Sequence, residues 1–355
     1  IFHTLMNTSC ASQDILDRLS GFNLKFSQAI DLIAILITFF ATYSAIKVIS
    51  TQSIFQVSTK ILLFQILIYA NLHQVSYGIE AIGLLYRSLF MLADPCNLLQ
   101  SDAHCAPYLE VLMCGISGMV YGQTGLLIER GFATFSKWYG SKKRIIIGAI
   151  ISFIVMICSL STGRLLLWDD PLNGYVFGCF AFPKNSSARS GYYFLTMPFI
   201  ALMFPVLLIY LIRRTRSRRA LKIVGITNRK QTQDDHITEM RSITPFVVGP
   251  RFRKREVLDS TETICFLTLC QFIFMFIYSF GIYMIKTFRS SLTYEQYYFW
   301  VVWLYTIPFT AALFPLLLIY RIRWSHFSRV MIIRQFTNTK QTQEDHIKQM
   351  KNVWN

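Results

Sequence analysis

Apolar residues are concentrated in seven runs along the chain, centred near Ala41, Leu67, Met119, Val155, Met203, Met275 and Phe309. Each is about as long as the roughly 20 residues a helix needs to cross the hydrocarbon core of a bilayer. The spans they predict are 28–49, 61–83, 107–128, 145–167, 192–212, 264–285 and 298–320, and the last three contain no Asp, Glu, Lys or Arg. A water-facing helix of that composition would be hard to account for. In lipid the backbone has no partner but itself, so the runs are read as helices. The expected fold is an all-α membrane protein, a seven-transmembrane helix bundle over residues 28–320. A segment of residues 1–27 precedes it, a basic inner loop spans 213–263, and a tail covers 321–355.

Charge gives the bundle a direction. The chain carries a formal net charge of +16 and only 15% charged residues. Eight of the 35 Lys and Arg fall in the N-terminal segment and the loops and helix ends on its side, against 27 in the opposite loops, helix ends and the tail. The basic side is therefore predicted to be cytoplasmic and the N-terminus extracellular. The long loop inflates that total, and the short second inner loop is the cleaner indicator. Basic loops of this kind record topology and attraction to an acidic leaflet, so no nucleic-acid partner is expected. The two Asn-x-Ser/Thr glycosylation acceptors, Asn7 and Asn185, both fall on the predicted outer side. No cleavable signal peptide is apparent, so the first span is expected to act as the insertion signal.

Four of eight cysteines, Cys10, Cys96, Cys105 and Cys179, lie in predicted outer segments, where disulfides are permitted. They allow three pairings. The favoured one joins Cys105, just before the third span, to Cys179 in the second outer loop, pinning that loop over the bundle mouth, and joins Cys10 to Cys96. Unpaired thiols in a loose loop are the alternative. Cys114, Cys158, Cys265 and Cys270 fall inside helices and read as buried apolar residues.

Gly115, Gly118, Gly122 and Gly125 recur at helical spacing in the third span, giving one face that a neighbouring helix can approach closely. This suits a central, tilted strut. A dimerisation face built from Gly118 and Gly122 is the competing reading. Polar residues inside spans are costly and tend to face the interior. Asp31, Glu80 and Glu110 sit near outer helix ends, whereas Asn71, His73, Gln74 and Gln123 lie deeper. His73, Tyr77, Glu110, Ser117 and Gln123 are therefore candidates for a small-molecule pocket; ties between helices are the plainer reading of His73 and its neighbours.

At the inner end of the third span Glu129 precedes Arg130, an acid and a base able to form a local ion pair that a conformational change would open. An ordinary interfacial anchor is the alternative. The run Ile128-Glu129-Arg130 with Phe132-Ala133-Thr134 resembles the signature of nematode serpentine chemoreceptors, most closely the Sra class. Similar too are Cys10-Ala11-Ser12, Thr59-Lys60-Ile61-Leu62-Leu63, His73, the Cys96 and Cys105 pair, the stretch from Arg255-Glu256 to Ser260-Thr261, and Trp354. The resemblance covers most of the chain. It implies a rhodopsin-like receptor in the plasma membrane of chemosensory neurons, with the cilia as the expected site, which detects a small environmental molecule and signals through a heterotrimeric G protein. Glu129 and Arg130 take the place of the acid-arginine pair that couples such receptors.

One feature departs from that layout. Residues 196–242 align without gaps onto 306–352 with 24 of 47 positions identical, including Pro198 with Pro308, Pro205 with Pro315 and Tyr210 with Tyr320. The Thr-Gln-acid-His pattern expected after the seventh helix thus also occurs after the fifth. A partial duplication or a joining of neighbouring paralogues would produce it. A transporter built on internal repeats needs a longer unit. A seven-helix ligand-gated channel or transporter remains the rival function, although no charged ring or midplane acid pair supports it. No catalytic motif is found and no cofactor is expected; His236 and His346 stand singly in polar contexts and are assigned no metal.

Overall fold

The computed structural model describes residues 10–11, 13–52, 55–136, 141–230, 248–288 and 291–338. Asn7, Trp354, His236 and His346 lie outside them. In chain order the elements are α1 (Gln13–Ser20), α2 (Phe22–Gln52), α3 (Val57–Phe90), β1 (Gln100–Ser101), α4 (Asp102–Phe135), α5 (Ser141–Leu167), β2 (Tyr175–Val176), α6 (Lys184–Lys230), α7 (Val248–Thr287), α8 (Tyr294–Trp303) and α9 (Ile307–Asn338).

Among the described residues six stretches are long and apolar enough to cross a membrane: Phe22–Thr51, Asp102–Phe135, Lys143–Leu167, Asn185–Leu211, Ser260–Ile285 and Phe299–Ser328. The remaining long helix, α3, is a full-length rod whose polar residues are used inside the bundle. Asn71 donates to Thr42 Oγ1 at 3.0 Å, and Gln74 donates to Thr38 Oγ1 and to the Pro308 carbonyl, both at 2.8 Å. Those bonds tie α3 to α2 and α9 where water is absent, which is why this helix tolerates polarity. The chain is thus a seven-helix bundle, with α8 and α9 together forming the seventh crossing.

Its surface is apolar, as a lipid-facing surface must be. Phe40 and Tyr43 of α2, Ile146 and Phe153 of α5, and Leu207 and Tyr210 of α6 all point outward and are exposed. The interior combines apolar residues such as Leu62, Ile66, Met119 and Phe272 with buried polar ones such as Gln74 and Ser117. Every residue from Leu112 to Val120 of α4 is buried, and α4 packs against α3, α5, α6 and α7, the position expected of a central strut.

The glycines of α4 explain how it fits there. A Cβ on Gly115 would come within 2.8 Å of the backbone nitrogen of His73, Gly118 lies against the Tyr69 ring, and Gly122 lies against Ile66. Gly125 does the same towards α5, where a Cβ would meet Ile151 at 2.8 Å. The face considered for dimerisation is therefore already filled by α3 of the same chain, and Gly118 and Gly122 are unavailable to a second copy.

The predicted inner loop of 213–263 is also shorter than the sequence suggested. Helix α6 runs on to Lys230 and α7 starts at Val248, so much of that basic stretch is helix. Arg, Lys, Leu and Ala are good helix formers, and a helix that leaves the membrane has no reason to stop among them.

The end bearing the disulfides is built as a lid. Cys10 is bonded to Cys96 and Cys105 to Cys179, the favoured pairing. Between them β1 and β2 pair antiparallel, Gln100 with Val176 and Ser101 with Tyr175. Asp102 fastens this two-stranded sheet to the start of α4: its amide donates to the Gly174 carbonyl at 2.9 Å and its carboxylate accepts the Gly174 amide at 3.2 Å. Glu80 of α3 accepts the Cys179 amide at 3.2 Å. Helix α1 closes one side, burying Ile15 and Leu19 against Leu84 and Leu98.

Candidate functional site

Beneath the lid lies a cavity of about 360 Å³, within the size range of small-molecule sites. Aromatic side chains dominate it: Tyr77 from α3, Phe180 and Phe182 from the lid, Phe194 from α6, Tyr278 from α7 and Tyr305 from the α8–α9 junction. Their rings interlock. Tyr77 and Tyr305 have centroids 4.8 Å apart, while Tyr278 meets both Tyr305, at 5.7 Å, and Phe194, at 5.6 Å, edge to face. Such packing gives the cavity firm walls.

Tyr305 owes its position to a break in the seventh crossing. Helix α8 ends at Trp303 and α9 begins at Ile307, immediately before Pro308. Proline supplies no amide to the preceding turn and disfavours helical geometry in the residue before it, so the helix is interrupted there. The repeat carries the same proline at 198, yet α6 continues through it. Local sequence permits the break, and packing decides where it occurs.

Of the five residues proposed for a pocket, Tyr77 alone lines this cavity. His73 sits one turn deeper, fully buried, with Nε2 at 3.2 Å from the Tyr305 hydroxyl. Glu110 lies off to the side, its carboxylate 3.7 Å from Arg164 of α5 at a partly open surface. Ser117 is spent on packing: it donates to the Met113 carbonyl at 2.6 Å and lies 3.4 Å from that of Ser159. Gln123 is deeper still and donates to Gln271 of α7. The space beside the glycines that flank Ser117 is filled by His73 and Tyr69 of α3.

Behind Tyr77 stands a small polar network. The Tyr77 hydroxyl donates to Asp31 Oδ2 at 2.9 Å and accepts from Gln28 Nε2 at 3.2 Å. Asp31 is buried behind the ring and does not itself line the cavity.

The second site is at the opposite end of α4. Arg130 grips Glu129 with two short hydrogen bonds, Nε to Oε2 and Nη2 to Oε1, each 2.6 Å. Neighbours in sequence do not normally face one another on a helix. The length of the Arg side chain allows it to fold back, and a bidentate pair is among the strongest of protein hydrogen-bonded contacts. Both residues have 0% of their surface exposed. The pair is tied to two other helices: Ser58 and Thr59 of α3 donate to the Glu129 carboxylate at 2.7 and 3.3 Å, and Arg130 Nη1 donates to Ser260 Oγ of α7 at 3.0 Å. One turn on, Thr134 and Thr261 lie 3.3 Å apart. Nearby, the Arg321 guanidinium of α9 sits over the Phe266 ring of α7 at 4.6 Å.

An aromatic chamber at one end and a clamped arginine at the other, with α7 reaching both, is the plan of a seven-helix membrane receptor. Comparison with known families makes the class specific. The description "Serpentine type 7TM GPCR chemoreceptor Sra" matches residues 5–197, 192–244 and 241–354. The chain belongs to this family. It is 53% identical over 347 residues to Serpentine receptor class alpha-7 of Caenorhabditis elegans, covering 98% of this chain and 99% of that one. To Serpentine receptor class alpha-3 of the same organism it is 52% identical over 351 residues, covering 99% of this chain and all of the relative. Serpentine receptor class alpha-6 is 48% identical over 350 residues. The segment matched separately, 192–244, coincides with the first copy of the internal repeat.

Proposed function

We propose that this multi-pass membrane protein is a G-protein-coupled chemosensory receptor of the plasma membrane, which detects a small environmental molecule in the chamber under the lid and signals through a heterotrimeric G protein. In this reading it is a receptor and carries out no catalysis. The disulfide-bearing end faces outward, in line with the chemistry of disulfides and the placement of Asn185 at the start of α6. The basic end faces the cytoplasm, and neuronal cilia are the expected location.

The observation that carries the reading is the clamp on Arg130. Held by Glu129 and Ser260, this arginine ties α4 to α7, and α7 also supplies Tyr278 to the chamber. A ligand that binds better when α7 has moved favours the packing in which the clamp is open, and only that difference in affinity shifts the population. Arg130 and the basic helices beside it are then free to engage the G protein.

The test is a G-protein reporter cell line expressing the chain, screened with volatile and water-soluble attractants. Removing Arg130 alone would strand a buried Glu129 carboxylate, at about 3–5 kcal/mol. Arg130→Ala is therefore measured beside the double variant E129A/R130A. Both should lose ligand-evoked signalling, and the double variant should reach the cell surface at wild-type level. Unchanged signalling in the double variant refutes the role given to Arg130.

A further inference from the structure

None of the residues lining the chamber is Asp, Glu, Lys, Arg or His. The nearest carboxylate, Asp31, is sealed behind Tyr77 and already accepts its hydroxyl. A charged ligand would surrender its hydration for no compensating charge, a loss that uncharged molecules avoid. The lining is aromatic and aliphatic with nine hydroxyl-bearing residues, and most of these hydroxyls are occupied. Ser190 and Ser279 donate to carbonyls of their own helices, at 3.0 and 2.9 Å, and Tyr305 faces His73. Among the buried lining hydroxyls Tyr278 is the exception, making no hydrogen bond among the described residues; Tyr192 and Tyr283, whose hydroxyls make none either, are exposed on the α6–α7 side. A single polar group on the ligand can be satisfied there.

The walls also differ in how open they are. On α2, α3, the lid, α8 and the α8–α9 junction, every lining residue is buried or half-buried: Leu24 and Gln28, Tyr77, Phe180 to Phe182, and Val301, Val302 and Tyr305. The exposed lining residues are Ala188, Gly191 and Tyr192 of α6 with Tyr283 and Thr287 of α7. Gly191 and Tyr192 lie within the membrane-crossing stretch Asn185–Leu211, and Tyr283 lies within Ser260–Ile285, each near the disulfide end. A Cβ on Gly191 would meet nothing within 4 Å, so the gap between α6 and α7 is open beside it. The direct route from water is roofed by Phe180 and Phe182, in a loop held by the Cys105–Cys179 bond.

We infer that the ligand is an uncharged amphiphile with one hydroxyl or carbonyl end, and that it reaches the chamber sideways from the outer leaflet, through the opening between α6 and α7 at Gly191, Tyr192 and Tyr283. This rests on the reading of the chamber as the ligand site and of the disulfide end as outward-facing. Such molecules concentrate in the leaflet, more strongly with each methylene they bury there, so the lateral route also draws from a richer source than water.

The experiment uses the full chain in lipid nanodiscs and a diazirine-bearing decanol as probe, with labelling followed over time and mapped by peptide. Saturable labelling within 187–195 and 278–283, competed by decanol and about tenfold less by decyltrimethylammonium or decanoate, is expected. Tyr278→Phe should remove the advantage of decanol over decane as competitor. Gly191→Trp should slow the approach to saturation about tenfold, as a gate at the portal would. Tyr192→Ala, which widens the gap, should hasten it. Saturable labelling at an unchanged rate in both variants overturns the lateral route while leaving the chamber as the ligand site. Equal competition by the charged analogues overturns the ligand class. Labelling that never saturates overturns the inference together with the chamber's role.

Discussion

Ser260 and Tyr278 lie on one line along α7, five turns apart at 3.6 residues per turn. The first holds Arg130 and the second lines the chamber. Gln271 falls within 20° of the same line, seven residues from Tyr278, and there receives the amide of Gln123. Gln123 in turn is two turns from Arg130 on α4. Two facing stripes, one on each helix, thus fasten α4 to α7 from mid-membrane to the basic end. A rotation of α7 provoked at Tyr278 must act on both fastenings together, because a helix turns as one body.

Ser260→Ala tests the lower fastening. A hydrogen bond to a charged group contributes about 1.5–3 kcal/mol, and Arg130 keeps its pair with Glu129 when Ser260 is lost. The basal output of the reporter should rise about tenfold or more without ligand, since the closed packing alone is weakened. Surface expression, read by antibody on unpermeabilised cells, should be unchanged. Basal output equal to wild type would mean that the Arg130–Ser260 bond does not hold the closed state.

Gln123 and Gln271 form the upper fastening and call for a double-mutant cycle. Either single change to Leu leaves the other amide in an apolar interior without its partner, while the double change removes both. Thermal stability in detergent should therefore be strongly non-additive, with a coupling of about 0.6–1.7 kcal/mol, the range seen for hydrogen bonds between membrane helices. Additive effects of the two substitutions would show the bond to be energetically idle.

The bundle was legible in the sequence because spans of this length have one structural solution in lipid, and the disulfide pairs because outer cysteines close to the bundle mouth are few. Glu129 and Arg130 were legible for a simpler reason: an acid and an arginine stand side by side at a helix end, and the Arg side chain is long enough to fold back onto its neighbour. Ser260, which completes the clamp, is one serine among many and is distinguished only by the helix opposite it. The chamber was mostly hidden. Phe180, Phe194, Tyr278 and Tyr305 cannot be told by sequence from lipid-facing Phe299 and Trp300. Pro308 could have pointed to Tyr305, but Pro198 in the same sequence setting leaves α6 unbroken. The glycines were legible as a face for close helix approach, and the space beside Gly115 and Gly118 is indeed occupied by His73 and Tyr69.

Cys105→Ser with Cys179→Ser should loosen the lid and leave the seven helices in place. The bond closes 74 residues of chain, and removing such a cross-link costs about 2–5 kcal/mol. The midpoint of thermal unfolding should fall, while the Arg130 clamp, at the other end of α4, keeps basal output low. Cys10 and Cys96 stay joined, which a shift in mobility on reduction would confirm. A midpoint equal to wild type would show that β1, β2 and the Asp102 bonds to Gly174 hold the lid by themselves.

The last prediction concerns the closeness of α3 to α4. Gly115→Ala would place a methyl group within 2.8 Å of the His73 backbone nitrogen, and a backbone pinned between two helices cannot yield as a side-chain tip can. Over-packing of this kind costs about 1–3 kcal/mol. Relief requires α3 to shift, and His73 would carry that shift to Tyr305 through their 3.2 Å contact. Gly115→Ala should thus lower thermal stability and also weaken labelling of the chamber by the decanol probe. Gly83→Ala in α3, where a Cβ meets nothing within 4 Å, is the matched control and should change neither quantity. If the two variants behave alike, the tight seam between these helices is not what positions the chamber floor.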